Sequence, residues 1–113
     1  MHEMSIAMSI VDAVSDKARQ EGCSTVTGID LVVGRLSGIE VESLKFCFSA
    51  AARNTPAENA ELLIEEREAA GRCEECGEQF PVASYHVCCP SCGKFRVRVI
   101  SGEELAVKSI TIE

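Results

Sequence analysis

The chain has no tryptophan, one tyrosine and four phenylalanines in 113 residues. Any core built from it is therefore aliphatic, without the large buried surface that aromatic rings supply. Cations are also scarce: 11 Lys and Arg stand against 18 Asp and Glu, a formal net charge of −7. That balance argues against non-specific nucleic-acid binding, because the phosphate backbone repels it. Arg96 and Arg98 are too few to reverse the sign. No apolar run approaches the roughly 18 residues that a membrane span needs, so no membrane partner is expected. Nor is there a set of nucleophile and base for hydrolytic chemistry. Cys88 and His86 are close only in sequence, and no enzyme activity is expected. The length suffices for one modest core and a small metal-stapled satellite.

Cysteine is abundant, with seven residues. Four of them fall into two C-x-x-C-G units, Cys73/Cys76 before Gly77 and Cys89/Cys92 before Gly93. A metal knuckle curls the backbone so that its N–H groups face thiolate sulfur, and glycine after the second cysteine permits the positive φ of that curl. Two facing knuckles offer four thiolates at tetrahedral corners, the donor set of a closed structural Zn²⁺ site. The segment between them has room for a β-hairpin or a compact loop. A rubredoxin-like iron centre, and with it an electron carrier, uses the same knuckles. A disulfide framework fits less well: the cysteine count is odd and no secretory pattern precedes them, so a reducing cytoplasm is expected. Pairing Cys88 with Cys92 breaks the knuckle spacing, so Cys88 is read as a packed or weakly exposed non-ligand. Cys23 and Cys47 read as small apolar residues.

Met4, Ala7, Met8, Val11, Val14 and Ala18 recur at helical spacing, with Ser5, Asp12, Ser15, Asp16 and Arg19 mostly opposite. Lys17 and Arg19 suit the end of that helix, and Gly22 its C-cap. Thr25 to Leu36 reads as a strand, with Ile29, Leu31 and Val33 alternating against Gly28, Asp30 and Gly34. Ser37, Gly38 and Glu40 mark a turn into a second helix that buries Leu44, Cys47, Phe48 and Ala51 and stops at Asn54-Thr55-Pro56. Ala60 to Ala70 is ambiguous. Its Glu, Ala and Leu favour helix by propensity, while Leu62 and Ile64 alternate as in a strand. Phe95 to Ile100 and Leu105 to Ile112 read as strands, separated by a turn or bulge at Ser101-Gly102.

Met1-His2-Glu3 offers a second donor set. The α-amine of Met1 and the amide nitrogen and ring Nδ1 of His2 can chelate one ion through fused rings. The Glu3 amide or a nearby carboxylate completes the set. Planar nitrogen coordination suits Ni(II) or Cu(II) more than Zn²⁺. Glu40 is the distant carboxylate that fits best, although its simpler role is a helix N-terminal acid closing a capping box with Ser37. His86 reads as a solvated loop imidazole. Glu65, Glu66 and Glu68 form a solvated acidic face that would also suit a basic partner.

Taken together, M-H-E at the start, V-G-R-L-S-G-I-E-V-E-S-L-K-F-C-F in the middle, both knuckles and the closing S-G-E-E-L-A-V-K-S-I-T-I-E resemble the HypA/HybF nickel-insertion accessory proteins of [NiFe]-hydrogenase maturation. The resemblance spans essentially the whole chain in order. It implies an α/β fold with two helices packed on a three-stranded mixed sheet and a small zinc-ribbon-like domain inserted before the last strand. Glu61 to Arg67 becomes a strand on that basis. The implied division is residues 1–70 plus 103–113 for the nickel-binding domain and 71–102 for the zinc-binding domain. Nickel would be held by Met1, His2 and Glu3, assisted by Glu40, and zinc by Cys73, Cys76, Cys89 and Cys92. Some relatives carry a histidine directly after a knuckle, where this chain has Gly77 and Gly93. That leaves His86 as the imidazole for any link between the sites. The implied function is a cytoplasmic nickel metallochaperone. It would work with a HypB-type GTPase, deliver Ni²⁺ to a hydrogenase large-subunit precursor or to urease, and be a monomer or weak homodimer. A zinc-ribbon protein-interaction module with an idle N-terminus is the competing expectation.

Overall fold

The computed structural model describes residues 3–113. The first helix, α1 (Glu3–Gln20), ends where Gly22 takes a left-handed φ of 75°. The Gly22 N–H donates to the Arg19 carbonyl (3.0 Å) and the Cys23 N–H reaches the Ala18 carbonyl (2.8 Å), the paired bonds of a Schellman cap. Ala7, Val14 and Ala18 centre the buried arc, with Ile10 bounding one side and Val11 the other. Met4 and Met8, expected inside that arc, lie on its flank and are 41% and 54% exposed. Ser15, expected on the polar side, is buried instead.

Strand β1 (Val26–Gly34) is the centre of the first sheet, whose order is β2-β1-β6. Helix α2 (Val41–Ala51) carries the chain across to β2 (Glu61–Arg67), which lies parallel to β1. The final strand, β6 (Leu105–Ile112), pairs antiparallel on the other side. Register sets Ile29 against both Leu62 and Ile110, and Leu31 against Ile64. Those side chains and both helices form one cluster that includes Leu44 and Phe48, so the helices cover a single face of the sheet. Pairing with β1 therefore overrides the helical propensity of residues 61–67. On the open face, Ser109 Oγ donates to Asp30 (2.6 Å) and Glu65 receives both Arg67 and Lys108.

The second sheet, β4-β3-β5, contains β3 (Ala69–Cys73), β4 (Gln79–Val82) and β5 (Val97–Ser101), all antiparallel neighbours. Only Glu68 separates β2 from β3, and residues 102–104 separate β5 from β6. The loop after β1 seals this double crossing. Gly34 N–H donates to Glu104 (2.7 Å), Arg35 N–H to Arg67 (2.9 Å) and Leu36 N–H to Gly102 (2.7 Å), all to backbone carbonyls. A Cβ on Gly34 would lie 2.1 Å from the Gly102 oxygen, so only glycine fits there. The chain is elongated, 55 × 24 × 16 Å, with a radius of gyration of 17.6 Å. A compact body of this length would have about 13 Å. No helix of the described residues is long and apolar enough to cross a membrane.

Candidate metal centre

Each knuckle repeats the same backbone pattern. Gly77 N–H donates to the Cys73 carbonyl and Gly93 N–H to the Cys89 carbonyl, both at 2.8 Å. In the opposite sense, Cys73 N–H reaches the Glu78 carbonyl (2.9 Å) and Cys89 N–H the Lys94 carbonyl (2.8 Å). Both glycines adopt the left-handed φ this curl needs, 80° at Gly77 and 76° at Gly93. Strand β3 delivers Cys73 at its last residue, and the segment running into β5 delivers the second knuckle.

The four Sγ atoms of Cys73, Cys76, Cys89 and Cys92 lie within 4.8 Å of one another. Cys73–Cys92 and Cys76–Cys89 are each 3.6 Å apart, far beyond a disulfide bond. A tetrahedron with metal–sulfur bonds of about 2.3 Å has sulfur edges of about 3.8 Å, so the spacing fits one thiophilic ion. Each knuckle contributes one buried thiol, Cys73 or Cys89, and one exposed thiol, Cys76 or Cys92.

The thiols are electrostatically unequal. The backbone N–H of Cys76, aided by that of Glu75 and by neighbouring thiols, draws the Cys73 thiol down to about 7 against the cost of burial. At Cys76 the Glu78 N–H pulls down, but the sulfur of Cys89, burial and the other two thiols outweigh it and push the group up to about 12. Cys92 also rises: the Lys94 N–H lowers it, yet burial and the sulfurs of Cys73 and Cys89 prevail. Without metal, the cluster retains protons that a bound cation would displace.

Cys88 stays outside the cluster and is exposed rather than packed. Cys23 and Cys47 are half-buried against the α/β core. His86 is exposed in the loop between the knuckles, where its backbone N–H donates to Ser84 Oγ (3.3 Å), and it does not join the four sulfurs.

Met1 and His2 lie outside the described residues. Of the other donors expected with them, Glu3 and Glu40 are adjacent: the Glu40 backbone N–H donates to a Glu3 carboxylate oxygen at 3.2 Å. Glu40 is itself the N-cap of α2, its carboxylate accepting from the Glu42 N–H at 3.1 Å. It does not close a capping box with Ser37, whose hydroxyl instead accepts from the Ile39 N–H at 3.2 Å. One further contact had no sequence signal. Tyr85, between the knuckles, donates its hydroxyl to the Glu103 carboxylate and lies 3.3 Å from the Leu36 carbonyl. It thereby joins the cysteine-bearing segment to the crossing between the sheets.

Residues 1–112 match the model of the family described as "Hydrogenase/urease nickel incorporation, metallochaperone, hypA". The chain is 73% identical over 113 residues to the hydrogenase maturation factor HypA of Chlorobaculum parvum, covering all of both chains. It is 69% identical, again over the whole of both, to the factor of the same name from Chlorobaculum tepidum. In fold it is similar to the solution structure of the Ni metallochaperone HypA from Helicobacter pylori, with a TM-score of 0.70, 18% identity and coverage of 99% of this chain and 97% of that one. With two helices on a mixed sheet, a second sheet and four clustered thiols, the chain belongs to the HypA family of nickel metallochaperones for hydrogenase maturation, which are not enzymes.

Proposed function

We propose that the chain binds Ni(II) through Met1, His2 and Glu3, with Glu40 as a supporting carboxylate, and that Zn²⁺ occupies the four cysteines. The observation that supports the nickel reading is the 3.2 Å bond from the Glu40 N–H to the Glu3 carboxylate. It ties the start of α1 to the start of α2. A chain terminus with exchangeable ligands suits cargo that must be released, whereas four thiolates in a closed cage suit a resident ion.

On this reading a GTPase partner of the HypB type controls delivery in the cytoplasm. The recipient is a hydrogenase large-subunit precursor, with urease as a second client, and the working form is a monomer or weak homodimer. The nickel domain is residues 1–70 plus 103–113 and the zinc domain residues 71–102, with the first two residues of β3, Ala69 and Ala70, forming the seam between them. Isothermal titration of Ni(II) into the native chain, into His2→Ala and into a version extended ahead of Met1 tests the site. Both changes should abolish tight binding while the zinc content stays constant. Equal affinity in all three would remove the N-terminal site and leave the zinc-ribbon interaction module as the better reading.

A further inference from the structure

Arg72 on β3 and Arg98 on β5 are direct cross-strand partners, and both are exposed. Like charges placed opposite each other repel, and the usual remedy is a neighbouring carboxylate. Here there is none. Among the described residues neither guanidinium makes an ion pair or a side-chain hydrogen bond, although the chain carries 18 acidic residues. The contrast with the neighbouring cations is local: Lys94 and Arg96 both engage Glu75.

The two arginines line a depression of about 280 Å³ beside the first knuckle, with Cys73, Glu74 and Gly77 completing its wall. Glu74 reduces the positive field there, so recognition has to come from the guanidinium forks themselves, which match a carboxylate in shape as well as charge. Strand alternation continues the same face into apolar surface. Arg72 pairs with Gln79, and Ala70 with Pro81. Ile100, at the bulge of β5 between Val99 and Ser101, is 46% exposed, and an apolar groove lies along Ala70, Phe80 and Pro81, edged by Gln79 and by Glu68, which is held by Arg35.

We propose that this outer face of the second sheet docks an acidic protein segment. Arg72 and Arg98 clamp one of its carboxylates, and the surface around Ala70, Pro81 and Ile100 takes the apolar side chain beside it. The charge argument selects the occupant. An incoming carboxylate relieves a repulsion that the chain leaves unrelieved.

The test uses the full metal-loaded chain and a fluorescein-labelled peptide alternating Glu and Leu, followed by anisotropy and by amide chemical shifts. Binding should perturb residues 70–73 and 98–100. The double substitution Arg72→Gln/Arg98→Gln should weaken it about tenfold. The pair Lys94→Gln/Arg96→Gln removes the same net charge and should change affinity less than about twofold. A peptide with Gln in place of Glu should not bind. Equal weakening by both double variants would reduce the effect to net charge and overturn the proposal. So would inorganic phosphate shifting the two arginines while the peptide fails to bind, because the face would then be a small-anion site. Where the double variant loses metal, Arg98→Gln alone serves, with about a threefold loss expected and no loss overturning the proposal.

Discussion

Removing the metal from the four cysteines is expected to unfold residues 69–101 while the α/β core stays folded. The asymmetry follows from what each sheet buries. Among the described residues, the only buried apolar side chains in the second sheet and its loops, apart from Cys73 and Cys89, are Ala69 and Val82. Burying a valine contributes about 2 kcal/mol. A four-thiolate zinc cage contributes apparent free energies on the order of 10–16 kcal/mol near neutral pH. The metal therefore dominates the stability of that sheet. The first sheet rests instead on thirteen buried residues shared by α1, β1, α2 and the turns after it. With the small sheet unfolded, β6 remains tethered to β2 by a longer flexible loop, and closure entropy grows by only about 0.6 kcal/mol per doubling of loop length. The crossing would also lose the Leu36 N–H to Gly102 bond, a further net loss of about 1 kcal/mol. Both costs are small against the core. Hydrogen exchange read by mass spectrometry, before and after a strong chelator, resolves the two parts. Peptides within 69–101 should lose protection, and those from α1, β1 and β6 should keep it. Simultaneous loss throughout the chain, or retained protection in 69–101, would refute the reasoning.

Because residues 69–101 are unfolded without metal, their thiols there have the ordinary value of about 8.5, and zinc added at pH 7 should displace close to one proton per thiolate it binds, fewer as pH rises through that value; calorimetry in buffers of different ionisation heat counts them. Ser15→Ala should stabilise the chain by about 1 kcal/mol in denaturant unfolding, because the Ser15 hydroxyl is buried without a hydrogen-bond partner among the described residues and alanine is the better helix former. Gly34→Ala should destabilise by about 1–3 kcal/mol or more, since its Cβ would overlap the Gly102 carbonyl; unchanged unfolding would mean that the crossing yields easily. Tyr85→Phe should loosen the second sheet against the first, visible as a broader distance distribution in small-angle scattering. Its phenol is raised above the usual value by the bond to Glu103, then by burial and the Glu103 charge. Its contribution is therefore full below the unfolded-state value of about 10 and fades as pH climbs through the folded one.

The elements that were legible in the sequence are those whose pattern and environment agree. The two C-x-x-C-G units could be read directly, because the knuckle is a local device: the glycine, the turn and both thiols lie within five residues. β1 and β6 could be read because a β-branched run has few alternatives. β2 carried conflicting local signals. Its Glu and Leu content favours helix, Leu62 and Ile64 alternate as in a strand, and its pairing with β1, as the family resemblance implied, decides for strand. β3 was missed for a related reason. Its A-A-G-R-C carries no strand propensity, and its glycine is required because a Cβ there would lie 2.7 Å from Val97 and 2.9 Å from Val82. Met4 and Met8 were misplaced because apolar spacing shows that a helix has a buried side but not where its neighbours end. Glu40, proposed above as a supporting carboxylate, shows the same limit. Its spacing from Ser37 suggested a reciprocal cap, yet the fold brings Glu3 to its backbone N–H and leaves its carboxylate on the first turn of α2. The start of α1 is thus held by a contact between residues 37 positions apart. A substitution at Glu40 therefore acts on the cap of α2 as well as on any ion it faces, and the two effects separate only when helix content is measured beside metal affinity.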